Sequence, residues 1–149
     1  MKRLLTICVM LAITQLGATA QNNLSIAPFF EENSAYAADA KTVWVEGREL
    51  KSYHLSLYRS ISSENAKTIK DMEQAVNIDS KRASDKEVGY IGQRLYYAFL
   101  SLSPAVKGSS VCRYIFYRNA SLKSKGKKDA TLVYMEGEVS MQELKKLFK

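Results

Sequence analysis

Histidine and cysteine are scarce in this chain of 149 residues, and their scarcity limits its chemistry. His54 is the single histidine, and Cys8 and Cys112 are the two cysteines. An ordinary zinc site needs three or four histidine, cysteine or acidic ligands held close together. One histidine and two distant cysteines do not make such a set. The sequence therefore predicts no metal ligands.

Glycine-rich phosphate loops and calcium loops are also missing. The seven glycines fall in neither a G-x-x-x-x-G-K nor a G-x-G-x-x-G pattern. Acidic pairs occur at 31/32, 85/87 and 136/138, but none has the spacing of a calcium loop. Helix caps and surface positions explain these acids better. The sequence predicts no cofactor.

A complete hydrolase motif is absent as well. A Ser-His-acid enzyme would need His54 as its general base, and Ser56 lies two residues further along the same predicted strand. No G-x-S-x-G sequence occurs, and the S-x-x-K at residues 124–127 lies in a lysine-rich turn without companion motifs. We predict no catalytic residues. A small periplasmic hydrolase that uses His54 with a serine nucleophile is the alternative.

The first twenty residues have the composition of a cleaved leader. Lys2 and Arg3 precede an apolar run over residues 4–16, and the small residues 18–20 follow it. The run is shorter than the roughly 20 apolar residues that span a bilayer. We therefore predict a signal peptide over residues 1–20, a single exported domain over residues 21–149, and no transmembrane segment after cleavage.

Removal of the leader leaves Cys112 as the one cysteine. An intramolecular disulfide is then impossible, and a position inside an apolar strand favours an inert, buried thiol. The whole chain has 22 basic and 15 acidic residues. Because nucleic acid is an unusual partner outside the cytoplasm, anionic glycans or lipid head groups at a membrane surface are the expected acidic partners.

Strand-forming residues dominate residues 94–118. Tyrosine, phenylalanine and branched residues predict strands over 94–102 and 111–118, joined by a loop with Pro104 and Gly108. Further strands are predicted over 42–46, 53–61, 85–92 and 130–136. In 53–61, alternation places Tyr53, Leu55, Leu57 and Arg59 on the core face.

Two segments have helical patterns. Residues 62–64 (SSE) resemble a helix start, and an apolar stripe follows to about Ala83. The stripe comprises Ala66, Ile69, Met72 and Val76. Ser140 and Glu143 form a capping box before a short C-terminal helix. The pattern predicts an α+β fold with a mainly antiparallel sheet of about five or six strands, with both helices on one face.

Three phrases of the sequence resemble a known kind of protein. They are ATAQ at 18–21, TVWVEGRELKSYHLSLYRSIS at 42–62 and TLVYMEGEVSMQELKKLF at 131–148. Together they are similar to a family of small exported proteins of unknown function from gut-dwelling Gram-negative anaerobes. The resemblance implies a compact α+β domain in the periplasm or cell envelope, and it implies no catalytic residues.

The lysine-rich segment between the last two predicted strands is the best candidate for contact with a ligand. It contains Lys123, Lys125, Lys127 and Lys128. A solvated turn that discourages edge-to-edge pairing of strands is the simplest interpretation. The functional interpretation is a patch for an anionic glycan or an envelope protein, extended by Arg113 or Arg118. Tyr96 and Tyr114 would stack on sugar rings, although core packing is the commoner place for strand tyrosines.

Overall fold

The computed structural model describes residues 23–148, so the predicted leader lies outside the described residues. The elements are β1 (Ala40–Glu46), β2 (Leu55–Ser63), α1 (Ala66–Ser80), β3 (Asp85–Ile91), β4 (Arg94–Leu102), β5 (Cys112–Asn119), β6 (Ala130–Gly137) and α2 (Met141–Leu147). None of the helices within these residues has the length and apolar character needed to cross a bilayer.

All six strands form one sheet in the order β1-β2-β6-β5-β4-β3, and every neighbouring pair is antiparallel. The predicted α+β class and the antiparallel sheet are confirmed. The last strand in sequence, β6, lies between β2 and β5. Its burial on both faces matches its continuous apolar run from Leu132 to Met135.

The first face of the sheet is covered by α1 and by the N-terminal segment. Helix α1 contributes Ile69, Met72, Ala75 and Val76, and residues 24–30 contribute Leu24, Ile26, Phe29 and Phe30. They pack on Ile61, Leu95, Leu100, Leu102, Ile115, Tyr117, Leu132 and Tyr134. This is the larger of the two cores. Of the predicted helical stripe, Ile69, Met72 and Val76 are confirmed, whereas Ala66 is exposed and Ala75 is buried in its place.

Asp79, at the end of α1, holds the N-terminal segment in place. Its side chain is fully buried, and its carboxylate accepts hydrogen bonds from Ser25 N at 2.8 Å and Ile26 N at 3.1 Å. A buried carboxylate needs such partners, because an unpaired charge is strongly disfavoured away from water. Asp79 therefore fixes residues 24–30 as part of the core.

The second face is covered by α2, which corrects the prediction that both helices share one face. Met141 and Leu144 of α2 pack with Leu55, Phe99, Tyr114, Val133 and Met135. Along β6, Val133 and Met135 of this core alternate with Leu132 and Tyr134 of the first core, so the two pairs point to opposite sides of the sheet. An ion pair between Lys145 and Glu87 also links α2 to β3. The predicted capping box is present, with Ser140 Oγ accepting from Glu143 N at 3.2 Å.

The face assignment predicted for β2 is wrong at its start. The register shifts between Leu55 and Leu57, so Leu55 packs in the second core while Leu57 packs against the first. Tyr53 belongs to the 3-10 turn Arg48–Tyr53, and His54 follows it with a φ of 58°. Strand β2 therefore begins at Leu55, two residues after the start predicted from the alternation.

Candidate functional site

The lysine-rich segment is a closed connection between β5 and β6. Ala120 N donates to Asp129 O at 3.1 Å, which joins the two ends of the segment. Asn119 caps the 3-10 turn Ala120–Leu122, because its Oδ1 accepts from Ser121 N at 3.1 Å. The lysines are all exposed. The backbone of the segment is therefore anchored at its base, while its lysine side chains are exposed.

A groove of about 910 Å³ separates this segment from α1. One wall is formed by Lys125, Lys127 and Lys128. The opposite wall is formed by Glu64 and by Lys70, Gln74 and Asn77 of α1. Three of the four predicted lysines thus lie together along a concave surface beside the helix.

Glu73 and Arg94 lie between the two walls and are already paired. Arg94 Nε donates to Glu73 Oε2 at 2.9 Å, and Leu95 N donates to Glu73 Oε1 at 2.8 Å. Both oxygens of this nearly buried carboxylate are therefore occupied by donors. As a result, the Glu73 charge opposes an incoming anion less than a free carboxylate would.

Asn119 lines the same groove but is only 1% exposed. Its side chain is a hydrogen-bonding neighbour of the Tyr117 hydroxyl, which is buried two residues earlier on β5. Burial, followed by the nearby Glu73 charge, raises the pKa of Tyr117, so its hydroxyl keeps its proton.

Lys123 and Tyr96 form a separate cluster with Arg118. Lys123 Nζ is 5.1 Å from the centre of the Tyr96 ring, and Arg118 donates to Tyr96 Oη at 3.2 Å. Tyr96 has no paired residue on β3, because the register moves from Gly89 opposite Tyr97 to Tyr90 opposite Leu95. The irregularity leaves Tyr96 half-buried between two cations.

Tyr114 and Arg113 are not exposed, which corrects their place in the predicted patch. Tyr114 is 2% exposed in the second core, and its hydroxyl donates to Val139 O. Burial raises the pKa of Tyr114 to about 12. Arg113 is also buried, and its Nε donates to Ser103 O at 2.7 Å. Tyr114 therefore offers no ring face to a sugar, whereas Arg118 is exposed as the extended patch requires.

No hydrogen bond joins the side chains of His54 and Ser56 in the described part of the chain. His54 is exposed, and within residues 23–148 no hydrogen bond joins its imidazole to a hydroxyl or a carboxylate. Ser56 Oγ instead donates to Glu136 O at 3.2 Å. The backbone carbonyl of His54 accepts a hydrogen bond from Glu138 N at 3.0 Å, which joins the start of β2 to the end of β6.

Side chains that bind metals are also dispersed in the described part of the chain. No group of three histidine, cysteine or acidic residues among residues 23–148 comes close enough to hold an ion. Cys112 is half-buried at the start of β5, and its Sγ lies 3.8 Å from Ser110 O.

The fold and the groove define an α+β protein with a six-stranded antiparallel sheet, a helix on each face and a basic cleft beside the longer helix. Residues 13–148 match the Family of unknown function (DUF6108), and the chain belongs to that family. No curated protein and no solved structure matches the chain.

Proposed function

We propose that this domain is a non-catalytic binding module that holds an anionic glycan in the groove between α1 and the lysine-rich segment. The observation that carries the proposal is the placement of Lys125, Lys127 and Lys128 along one concave wall. A solvated turn needs no such concavity. Clustered like charges with low-dielectric walls concentrate the field on an anionic ligand.

The volume and the opposite wall favour a sugar chain. A groove of about 910 Å³ lies at the upper end of the range for ligand pockets. Its α1 wall carries side-chain oxygens of Glu64, Gln74 and Asn77, which accept hydrogen bonds from hydroxyl groups. An acidic glycan supplies both the negative charge for one wall and the hydroxyl donors for the other.

The site of action that fits this proposal is the periplasm or the cell envelope. Its support is the leader-like sequence of residues 1–20, with the basic pair Lys2 and Arg3 and the small residues 18–20. Acidic polysaccharides are available ligands in that compartment, and nucleic acid is not.

The triple variant Lys125→Gln, Lys127→Gln and Lys128→Gln tests the proposal. Three exposed ion pairs at about 0.5–1 kcal/mol each correspond to a loss of roughly ten- to hundredfold in affinity for an acidic polysaccharide. The salt dependence of binding should also become shallower. Isothermal titration at two or more salt concentrations measures both effects.

The matched control is Lys51→Gln, Lys81→Gln and Lys107→Gln. These exposed lysines lie outside the groove, so the control has the same net charge as the groove variant. An equal loss in both variants would show that net charge, and not the groove, attracts the ligand.

A protein partner is the second candidate, and it is favoured by the edge strand β1. On this strand, Val43 is 49% exposed and Trp44 is 60% exposed. Arg59 Cζ lies 3.9 Å from the centre of the Trp44 ring. An edge strand has backbone groups free to pair with an added strand. Val43→Lys, which should block such pairing, distinguishes this candidate in a pull-down from the native envelope.

A further inference from the structure

Arg94 lines the groove between α1 and the lysine-rich segment, and one edge of its guanidinium group is fixed. Its Nε donates to Glu73 Oε2 at 2.9 Å. Leu95 N donates to the other oxygen of the same carboxylate at 2.8 Å, so the backbone of β4 holds Glu73 in place. Because a guanidinium group is planar and rigid, the contact with Glu73 restricts the directions in which its remaining N–H groups point.

The other edge of the Arg94 guanidinium is open. No hydrogen bond joins either of its terminal nitrogens, Nη1 and Nη2, to a group within residues 23–148. The Arg94 side chain is 49% exposed, whereas that of Glu73 is 10% exposed. The two terminal nitrogens of an arginine form a fork that binds both oxygens of one carboxylate. Arg94 therefore presents an oriented and accessible fork to the groove.

Arg94 and the lysines of the groove respond to different properties of a ligand. Lys125, Lys127 and Lys128 are exposed point charges that attract any polyanion. The charge of Glu73 offsets that of Arg94, so Arg94 adds little to this general attraction. Its fork instead requires two acceptor oxygens at a matching spacing and in a matching plane. The lysines therefore supply attraction, and Arg94 supplies selection.

A uronic acid sugar has the groups that this arrangement requires. Its carboxylate is planar and is a more basic acceptor than a sulfate ester, so its two oxygens form the stronger pair with an arginine fork. Its ring hydroxyls match the acceptor oxygens of Glu64 and Gln74 on the opposite wall. A heavily sulfated glycan has few free hydroxyls for that wall.

We infer that Arg94 is a specificity-determining residue whose terminal nitrogens bind the carboxylate of a uronic acid sugar in the groove. The inference rests on the proposed glycan-binding function and names the class of glycan. Glu73 is the positioning residue, since it fixes the edge of the guanidinium that the ligand does not use.

The test compares Arg94→Lys with Arg48→Lys by isothermal titration with oligogalacturonate and with dextran sulfate. Both substitutions keep the charge, and Arg48 is an exposed arginine outside the groove. Arg94→Lys replaces the fork by a single ammonium group. We expect it to lower the affinity for oligogalacturonate about tenfold and the affinity for dextran sulfate less than about twofold. Arg48→Lys should change neither affinity.

Two results of this comparison would overturn the inference. One is an equal change in oligogalacturonate affinity for Arg94→Lys and Arg48→Lys, which would show that Arg94 has no particular contact with the ligand. The other is an equal loss of affinity for both polymers in Arg94→Lys, which would show that the fork does not select carboxylates. Both results leave the proposed function intact, because the wild-type protein still binds.

A measurement on the wild-type protein does not depend on how well Arg94→Lys folds. The Nε–H signal of Arg94 is followed by nuclear magnetic resonance during titration with oligogalacturonate, dextran sulfate and neutral dextran. We expect a large shift with oligogalacturonate only. Binding of oligogalacturonate without a shift of this signal would overturn the inference alone. If the wild-type protein binds neither anionic polymer, the inference and the proposed function are both overturned.

Discussion

Gly137 is required by close packing where three strands meet. It is paired with Leu55 on β2 and with Cys112 on β5. A Cβ at this position would collide with the His54 carbonyl oxygen and would lie 2.8 Å from Leu55 Cα, and both are backbone atoms. Gly137→Ala should therefore lower the free energy of unfolding by about 1–3 kcal/mol, as overpacking does elsewhere. Chemical denaturation measures the change.

Gly126→Ala is the control for this prediction. Gly126 lies in the lysine-rich segment, and a Cβ there would meet nothing within 4 Å. We expect the free energy of unfolding of the Gly126→Ala variant to stay within about 0.5 kcal/mol of the wild-type value. Similar losses in both variants would contradict the packing argument.

Single residues also show what the sequence can predict about the site. The exposure of the loop lysines follows from their charge and from the adjacent glycine, so it could be predicted. Tyr96 and Tyr114 have the same kind of strand sequence around them, yet only Tyr114 is buried. The difference arises from the segment before α2, whose Val139 carbonyl accepts from Tyr114.

At the scale of elements, α1 begins at a residue that the pattern does not select. Residues 62–64 resemble the start of a helix, but β2 continues to Ser63, which pairs with Ala40 and Ala130 on its two neighbours. The cap is Asn65, whose Oδ1 accepts from Lys67 N at 3.0 Å and Thr68 N at 3.1 Å. Strand pairing on both sides thus decides where the helix starts.

Replacement of this cap should weaken α1. Asn65→Ala removes the acceptor for two N–H groups of the first turn, so we expect a loss of about 1 kcal/mol in the free energy of unfolding. Glu64→Ala is the matched control, because Glu64 is exposed and lies next to the cap without serving as one. Urea denaturation of both variants tests the assignment. An equal or larger loss for Glu64→Ala would contradict it.

For the short helix α2, the start could be predicted from local sequence, whereas the face of the sheet on which it packs could not. Its capping box is formed by Ser140 and Glu143 alone, so it could be predicted from the sequence. The face on which it packs could not be predicted from its own residues. The available signal lies in β6, where Leu132 and Tyr134 alternate with Val133 and Met135. Four consecutive apolar residues in a strand indicate that both faces are covered.

At the scale of the whole molecule, the chain is a sheet between two unequal layers. Insertion of β6 between β2 and β5 is a long-range pairing, and no local pattern specifies it. The stability of the assembly therefore depends on side chains in the central strands β5 and β6. Three of these are tyrosines that are nearly or fully buried: Tyr114, Tyr117 and Tyr134.

These tyrosines make the fold sensitive to alkaline pH. Burial is the first cause that raises the pKa of Tyr114, Tyr117 and Tyr134 above the ordinary value of 10.0. In the unfolded chain they lose their protons near pH 10, whereas in the folded protein they keep them. Stability is therefore fully present below pH 10 and falls as the pH rises above it. Three groups at about 1.4 kcal/mol per pH unit give a slope of about 4 kcal/mol per unit.

Denaturant titrations between pH 8 and pH 11.5, with tyrosinate absorbance recorded alongside circular dichroism, measure this slope. Tyr134→Phe should reduce this slope by about 1.4 kcal/mol per pH unit, because one buried group no longer ionises on unfolding. Tyr53→Phe is the matched control, since it removes a hydroxyl from a tyrosine that is 47% exposed. Ionisation of all nine tyrosines while the circular dichroism stays native would contradict the argument, because a buried phenolate in either core would be left without solvation.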